Sequence, residues 1–238
     1  MDRPEESNTS RRPRGVIPCN PGLQELVDGK RQWQDSPDAP KVSSEFRLWN
    51  QRGYLPHRDA PGLRQFVTFR LADSFPVELR SEWGALLKTE NSRRRQQQIE
   101  EYLNKGRGQC YLKHAELAEL VERALRCFRG TRYELQAWVV MPNHVHVLFT
   151  QKAEPLRKVL HSWKSYTANE ANRIPGRTGQ FWDEDYWDTF MRDEHQATRS
   201  RRYIENNPVK ARLVREAVQW PWSSARFRDE YARLKLPA

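Results

Sequence analysis

The 238-residue sequence contains only three cysteines, Cys19, Cys110 and Cys127, and no two form a C-x-x-C pair. An odd, scattered set excludes a disulfide framework and a zinc ribbon, and suits a reducing cytoplasm. No apolar run is long enough to span a bilayer, and no hydrophobic leader is present, so a soluble intracellular chain is expected. Hydrophobic residues make up only 37% and the mean hydropathy is -0.96. Part of the chain should therefore be extended or loosely packed. Several chemical signatures are missing as well. There is no Gly-x-x-x-x-Gly-Lys phosphate loop, no G-x-S-x-G elbow and no H-E-x-x-H zinc helix.

Negative charge is also scarce. Forty-one Lys and Arg face 31 Asp and Glu, giving a formal charge of +10. Residues 1–62 hold ten basic and nine acidic groups, so nearly all the excess falls on the remaining 176 residues. Such an excess concentrates polyanions and favours nucleic acid as a partner, although a merely basic soluble protein has the same composition.

Residues 1–62 also contain eight of the fifteen prolines and little hydrophobic periodicity, which predicts a mostly irregular arm. We place the arm proper at 1–50, a folded domain at 51–226 and a C-terminal tail at 227–238. Within the domain, Phe66–Leu71 is β-rich and Pro76 opens a helix. The stretch 91–98, with Arg93, Arg94 and Arg95, is polar all round and is either solvated or phosphate-facing. Beyond His114, apolar residues at 117, 120, 121, 124, 125 and 128 trace one helical face, which Gly130 is placed to end. Strands are expected over 133–141 and 144–150. A helix follows from Pro155, then the aromatic segment Phe181–Asp188, then a helix over 193–207 that Pro208 ends. This order predicts an α+β sandwich: antiparallel strands with helices on one face and the other face free for a ligand.

His144-Val-His146 is the most chemically loaded feature. Strand alternation points both imidazoles to one side, with Val145, Val147 and Phe149 on the other. Two imidazoles on one strand can hold a divalent cation and leave positions open for water or phosphate oxygen. Mn²⁺, or Mg²⁺ with a mixed shell, suits that arrangement. The same spacing also describes two polar residues on a solvated sheet face.

A phosphate held there needs an attacking group, and the missing motifs leave tyrosine or activated water. Three tyrosines compete. Tyr166 lies beside the apolar stripe of its helix, and Tyr186 sits between Trp182 and Trp187 in an aromatic cluster that is structural or base-stacking. Tyr203 shares a helical face with Arg199 and Asn207. The arginine would favour phenolate, and Asn207 offers an oxygen to a metal or, equally, a helix cap before Pro208.

At these residues the chain resembles the REP-associated tyrosine transposases of the HUH endonuclease superfamily. The matching segments are Ala137–Leu148, His161–Ala168, Phe181–Asp188, Tyr203–Ala211 and Trp220–Ser224. With Gly53–Arg58 and the first strand they cover about residues 50–226. The resemblance implies a ferredoxin-like fold, Tyr203 as the catalytic residue, and His144, His146 and Asn207 as ligands of Mg²⁺ or Mn²⁺. It further implies cutting and rejoining of single-stranded DNA hairpins through a 5′-phosphotyrosine, in the cytoplasm at the nucleoid, by a chain more in keeping with a monomer. Arg199, Arg201, Arg202 and Lys210 are candidate DNA contacts. A non-catalytic binder of nucleic-acid hairpins is the alternative.

Overall fold

The strand that carries the histidines is buried along nearly its whole length, and the rest of the fold is arranged around it. The computed structural model describes residues 46, 48–52, 55–75, 92–173 and 179–236. The helix expected after Pro76 and most of the N-terminal arm lie outside these residues. In chain order the described elements are β1 (Leu48–Arg52), β2 (Leu55–Asp59), β3 (Arg64–Arg70), α1 (Ser92–Asn104), α2 (Ala115–Cys127), β4 (Tyr133–Val140), β5 (His144–Gln151), α3 (Leu156–Ala171), β6 (Trp187–Phe190) and α4 (Glu194–Lys210).

Four strands form one antiparallel sheet in the order β4-β5-β3-β6. Numbered by their sequence among themselves, they run 2-3-1-4, with α2 in the first crossover and α3 in the second. That is the ferredoxin-like α+β sandwich expected from the sequence.

One face of the sheet builds the larger core. Val67 and Phe69 of β3, Trp138 and Val140 of β4, and Val145, Val147 and Phe149 of β5 pack there against Leu117, Val121 and Leu125 of α2 and Val159, Leu160 and Trp163 of α3. Burial of each such side chain contributes about 1.5–3 kcal/mol, so this layer can offset polar burial elsewhere. The helical stripes read from the sequence are the ones that pack. The chain leaves α2 through Gly130, whose φ of +83° suits a residue without Cβ.

Strand β4 changes phase midway. Its pairing with β5 slips between Leu135, opposite Phe149, and Ala137, opposite Leu148. The bulge at Gln136 sends Leu135 and Trp138 to the same core although they are three residues apart.

Three features differ from the sequence reading. First, the histidine face of the sheet is covered. Ile204 and Ala197 of α4 pack on Phe66, Ala137, Val139 and Leu148. A free ligand face is therefore replaced by a groove at the rim of α4, because the apolar residues flanking the histidines require a cover of their own. Second, Pro208 lies inside α4, which runs on to Lys210. Only one N–H, toward the carbonyl of Ile204, is lost, and Ala211 and Arg212 still donate to Asn207 and Val209. Third, residues 48–59, read as part of an irregular arm, contain the β1–β2 hairpin. At the other end, Leu234 and Leu236 pack against the larger core.

Candidate active site

Thr68 of β3 is paired with His146 of β5, and Arg70 with His144, so the polar side chains of both strands rise on the α4 side. Both histidines are buried, at 1% and 0% exposure, which rules out a solvated sheet face. Burial pushes the His144 imidazole down to about 3. It also holds His146 well below its ordinary value, with His144 beside it adding to the effect. Both rings are neutral at pH 7, the form that ligates metals.

The far nitrogens of both rings are anchored. His144 Nδ1 lies 2.8 Å from Asn143 Oδ1. Asn143 presents its oxygen there because its Nδ2 donates to the carbonyls of Leu103, at 3.2 Å, and Arg107, at 3.1 Å. His144 Nδ1 is therefore the donor. The loop that supplies Arg107 is held close by Gly108, where a Cβ would come within 2.6 Å of the Asp73 carbonyl oxygen. His146 Nδ1 lies 2.7 Å from Thr68 Oγ1. His144 Nε2 thus presents a lone pair, His146 Nε2 does so when its Nδ1 donates to Thr68, and the two Nε2 atoms stand 3.1 Å apart. Two nitrogens bound to one cation at about 2.1 Å, near a right angle, are separated by roughly the same distance.

Helix α4 brings the other half of the site. Asp193 caps it by accepting from Gln196 N at 2.6 Å. Asn207 is buried within the helix rather than capping it, the cap position falling on Ala211. Its Nδ2 is 3.3 Å from His146 Nε2 and donates to Tyr203 Oη at 3.2 Å. Its Oδ1 is buried with no hydrogen-bond partner. A half-turn of the amide would place that oxygen beside the histidines, so the chemistry of the donor set fits a small divalent cation. Half-buried Tyr203 meets Phe66 and His146 edge-on, at centroid distances of 6.0 and 5.8 Å. Tyr166 and Tyr186 instead pack against the larger core on the far side of the sheet.

The basic candidates divide. Arg199 and Lys210 line a groove of about 1280 Å³ together with Tyr203, Trp187 and Phe190. Lys210 Nζ stands 4.5 Å from the centre of the Tyr203 ring and is a cation beside the phenol. Arg201 pairs with Glu205 at 3.5 Å. Neither Arg201 nor Arg202 lines the groove.

Sequence reasoning missed Thr68, Asn143 and Glu100. The first two are legible only through strand register and a loop contact. Glu100, on α1, is buried with its Oε2 3.4 Å from Asn207 Nδ2. Burial pushes its carboxyl up to about 8, against the opposing effects of the Asn207 hydrogen bond and the Lys210 charge. Counting His, Cys, Asp and Glu alone, the described residues contain no group of three able to hold a metal. Here Asn207 stands between the histidine pair and Glu100.

Residues 102–207 match the family described as transposase IS200 like. The chain is similar to the REP-associated tyrosine transposases. One such relative, the REP-associated tyrosine transposase of Escherichia coli strain K12, is 27% identical over 109 residues, which are 46% of this chain and 63% of the relative. The chain thus spans less than two thirds of that relative's length. Among solved structures, a REP-associated tyrosine transposase bound to a REP hairpin aligns with a TM-score of 0.47 and 16% identity. That alignment covers 79% of this chain and 98% of the other. The IS200-like match contains His144, His146, Tyr203 and Asn207, and begins two residues after Glu100.

Proposed function

We propose that this chain is a metal-dependent single-stranded DNA endonuclease and strand transferase that cuts and rejoins palindromic hairpins through Tyr203. One observation carries the reading: the Asn207 amide sits between Tyr203 Oη, at 3.2 Å, and His146 Nε2, at 3.3 Å. On this reading the nucleophile and the cation-binding nitrogens share one locus. His144, His146 and Asn207 would hold Mg²⁺ or Mn²⁺, which supplies Lewis-acid polarisation of the scissile phosphate.

Tyr203 Oη attacks the phosphorus and gives up its proton to solvent in the groove. The P–O3′ bond breaks, the 3′ oxygen takes a proton from solvent and leaves as a hydroxyl, and the 5′ phosphate stays on the tyrosine. Attack by a 3′ hydroxyl reverses the step, because the phosphodiester energy is conserved in the ester. Lys210 and Arg199 neutralise backbone charge, while Trp187 and Phe190 offer ring faces to unpaired bases. Among the described residues no helix is long and apolar enough to cross a membrane.

The test is incubation of the protein with a labelled single-stranded hairpin and Mn²⁺. Wild type should give a denaturation-resistant protein–DNA adduct and Tyr203→Phe should not. Persistence of the adduct in Tyr203→Phe would remove Tyr203 as nucleophile. Metal-independent binding with no adduct from wild type would favour a non-catalytic hairpin binder.

A further inference from the structure

The cation site proposed above contains two imidazoles and one amide, all neutral. A divalent ion held by neutral groups alone keeps its full charge until a phosphate arrives, and Mg²⁺ and Mn²⁺ favour anionic oxygen. The structure contains such an oxygen close by. Glu100 is 8% exposed although it carries a carboxylate. Ile99 and Leu103, its neighbours on α1, are buried at 5% and 1% and fix the helix so that Glu100 is directed at α4 and β5.

The separations are informative. His144 Nε2 to His146 Nε2 is 3.1 Å. His146 Nε2 to the Asn207 amide is 3.3 Å. The amide to Glu100 Oε2 is 3.4 Å, and Glu100 Oε2 to His146 Nε2 is 3.7 Å. Donors around one cation, with bonds of about 2.1 Å and angles of roughly 90–120°, lie roughly 3.0–3.7 Å apart. Four of the six separations among these groups are therefore of the size expected between ligands of one cation, and His146 takes part in three of them. We propose that Glu100 is a fourth protein ligand of the divalent cation, supplying the anionic oxygen that the histidine pair and Asn207 lack. This inference rests on the metal-dependent reading of the same site.

The test uses the full chain freed of metal by a chelator and titrated with Mn²⁺, with free Mn²⁺ followed by paramagnetic resonance. Co²⁺ absorption reports the ligand set independently of activity. Glu100→Gln should weaken Mn²⁺ binding at least about tenfold and shift the Co²⁺ bands, while the metal-free variant unfolds at a temperature no lower than wild type. Wild-type affinity together with an unchanged Co²⁺ spectrum in Glu100→Gln would overturn the assignment. If Glu100→Gln does not fold, Glu100→Asp decides. Its shortened carboxylate should weaken Mn²⁺ binding while keeping carboxylate-type Co²⁺ bands, and equal affinity would again overturn the idea. Failure of wild type itself to bind Mn²⁺ would remove the metal-dependent reading as well, so the two failures are distinguishable.

Discussion

Thr68 Oγ1 lies 2.7 Å from His146 Nδ1, directly across the β3–β5 ladder. The pairing register, not a loop, therefore sets which nitrogen of His146 faces Asn207. Thr68→Val keeps the shape of the side chain and removes the hydroxyl. It should lower Mn²⁺ affinity about 10–100-fold with little loss of folded structure, as measured by metal titration alongside circular dichroism. Unchanged affinity would mean that ring orientation comes from packing on Phe66, which stacks on His146 at 5.6 Å.

The buried ionisable groups should give the metal-free protein a characteristic pH profile. His144 and His146 are held below their ordinary value near 6.5, so the unfolded chain binds more protons than the folded one on acidification. Their contribution to stability is complete above about pH 6.5 and is lost as pH falls. Glu100 acts in the opposite direction. Its carboxyl is pushed from 4.5 to about 8, so its contribution is present below about pH 4.5 and is lost as pH rises toward 8. Denaturant midpoints in chelator should fall on both sides of about pH 6.5. Glu100→Gln should flatten the alkaline side and steepen the fall between about pH 6.5 and 4.5.

Glu205 ties the tyrosine helix to the C-terminal segment. It accepts from Ser224 Oγ at 2.7 Å and from Arg228 Nε at 2.7 Å. Ser224 Oγ in turn accepts from Trp138 N at 3.1 Å. Glu205→Ala leaves the mostly buried Arg228 without its carboxylate, with only the Gln136 and Ala232 carbonyls to accept from it, and should cost about 3 kcal/mol in denaturant unfolding. The adduct rate should fall too, because α4 carries Tyr203. A loss of stability under about 1 kcal/mol would show this to be a solvated surface pair.

The arginines should separate by role. Arg199→Ala and Lys210→Met should each lower hairpin affinity and reduce the salt slope of binding by about 1. Arg201→Ala should act mainly on stability, through Glu205, and Arg202→Ala should do little to either. Equal salt slopes in Arg199→Ala and wild type would place the DNA path elsewhere.

Much of this architecture was legible in the sequence. The 3.6-residue stripes of α2 and α3 and the H-x-H alternation of β5 are local patterns, and packing preserved them. Asp193, Tyr203 and Asn207 could be placed on one helix by spacing alone. Glu100 could not, because it lies 46 residues before His146, and a carboxylate between Ile99 and Leu103 reads as the solvated flank of their helical stripe. Nothing nearby in the sequence marks it as buried, and its role depends on where α1 docks. The bulge at Gln136 was hidden for a similar reason, since a phase change within an apolar run leaves composition unaltered. Pro208 misled because its cost to a helix is one hydrogen bond, which the packing of α4 on the sheet outweighs.

Helix α4 crosses the histidine strand of its own chain, so Tyr203, Asn207, His144, His146 and Glu100 all belong to a single polypeptide. Their convergence within the chain is governed by how tightly α4 docks on β4 and β5. Loosening α4 would separate the tyrosine from the histidines while the larger core on the other face of the sheet stays packed.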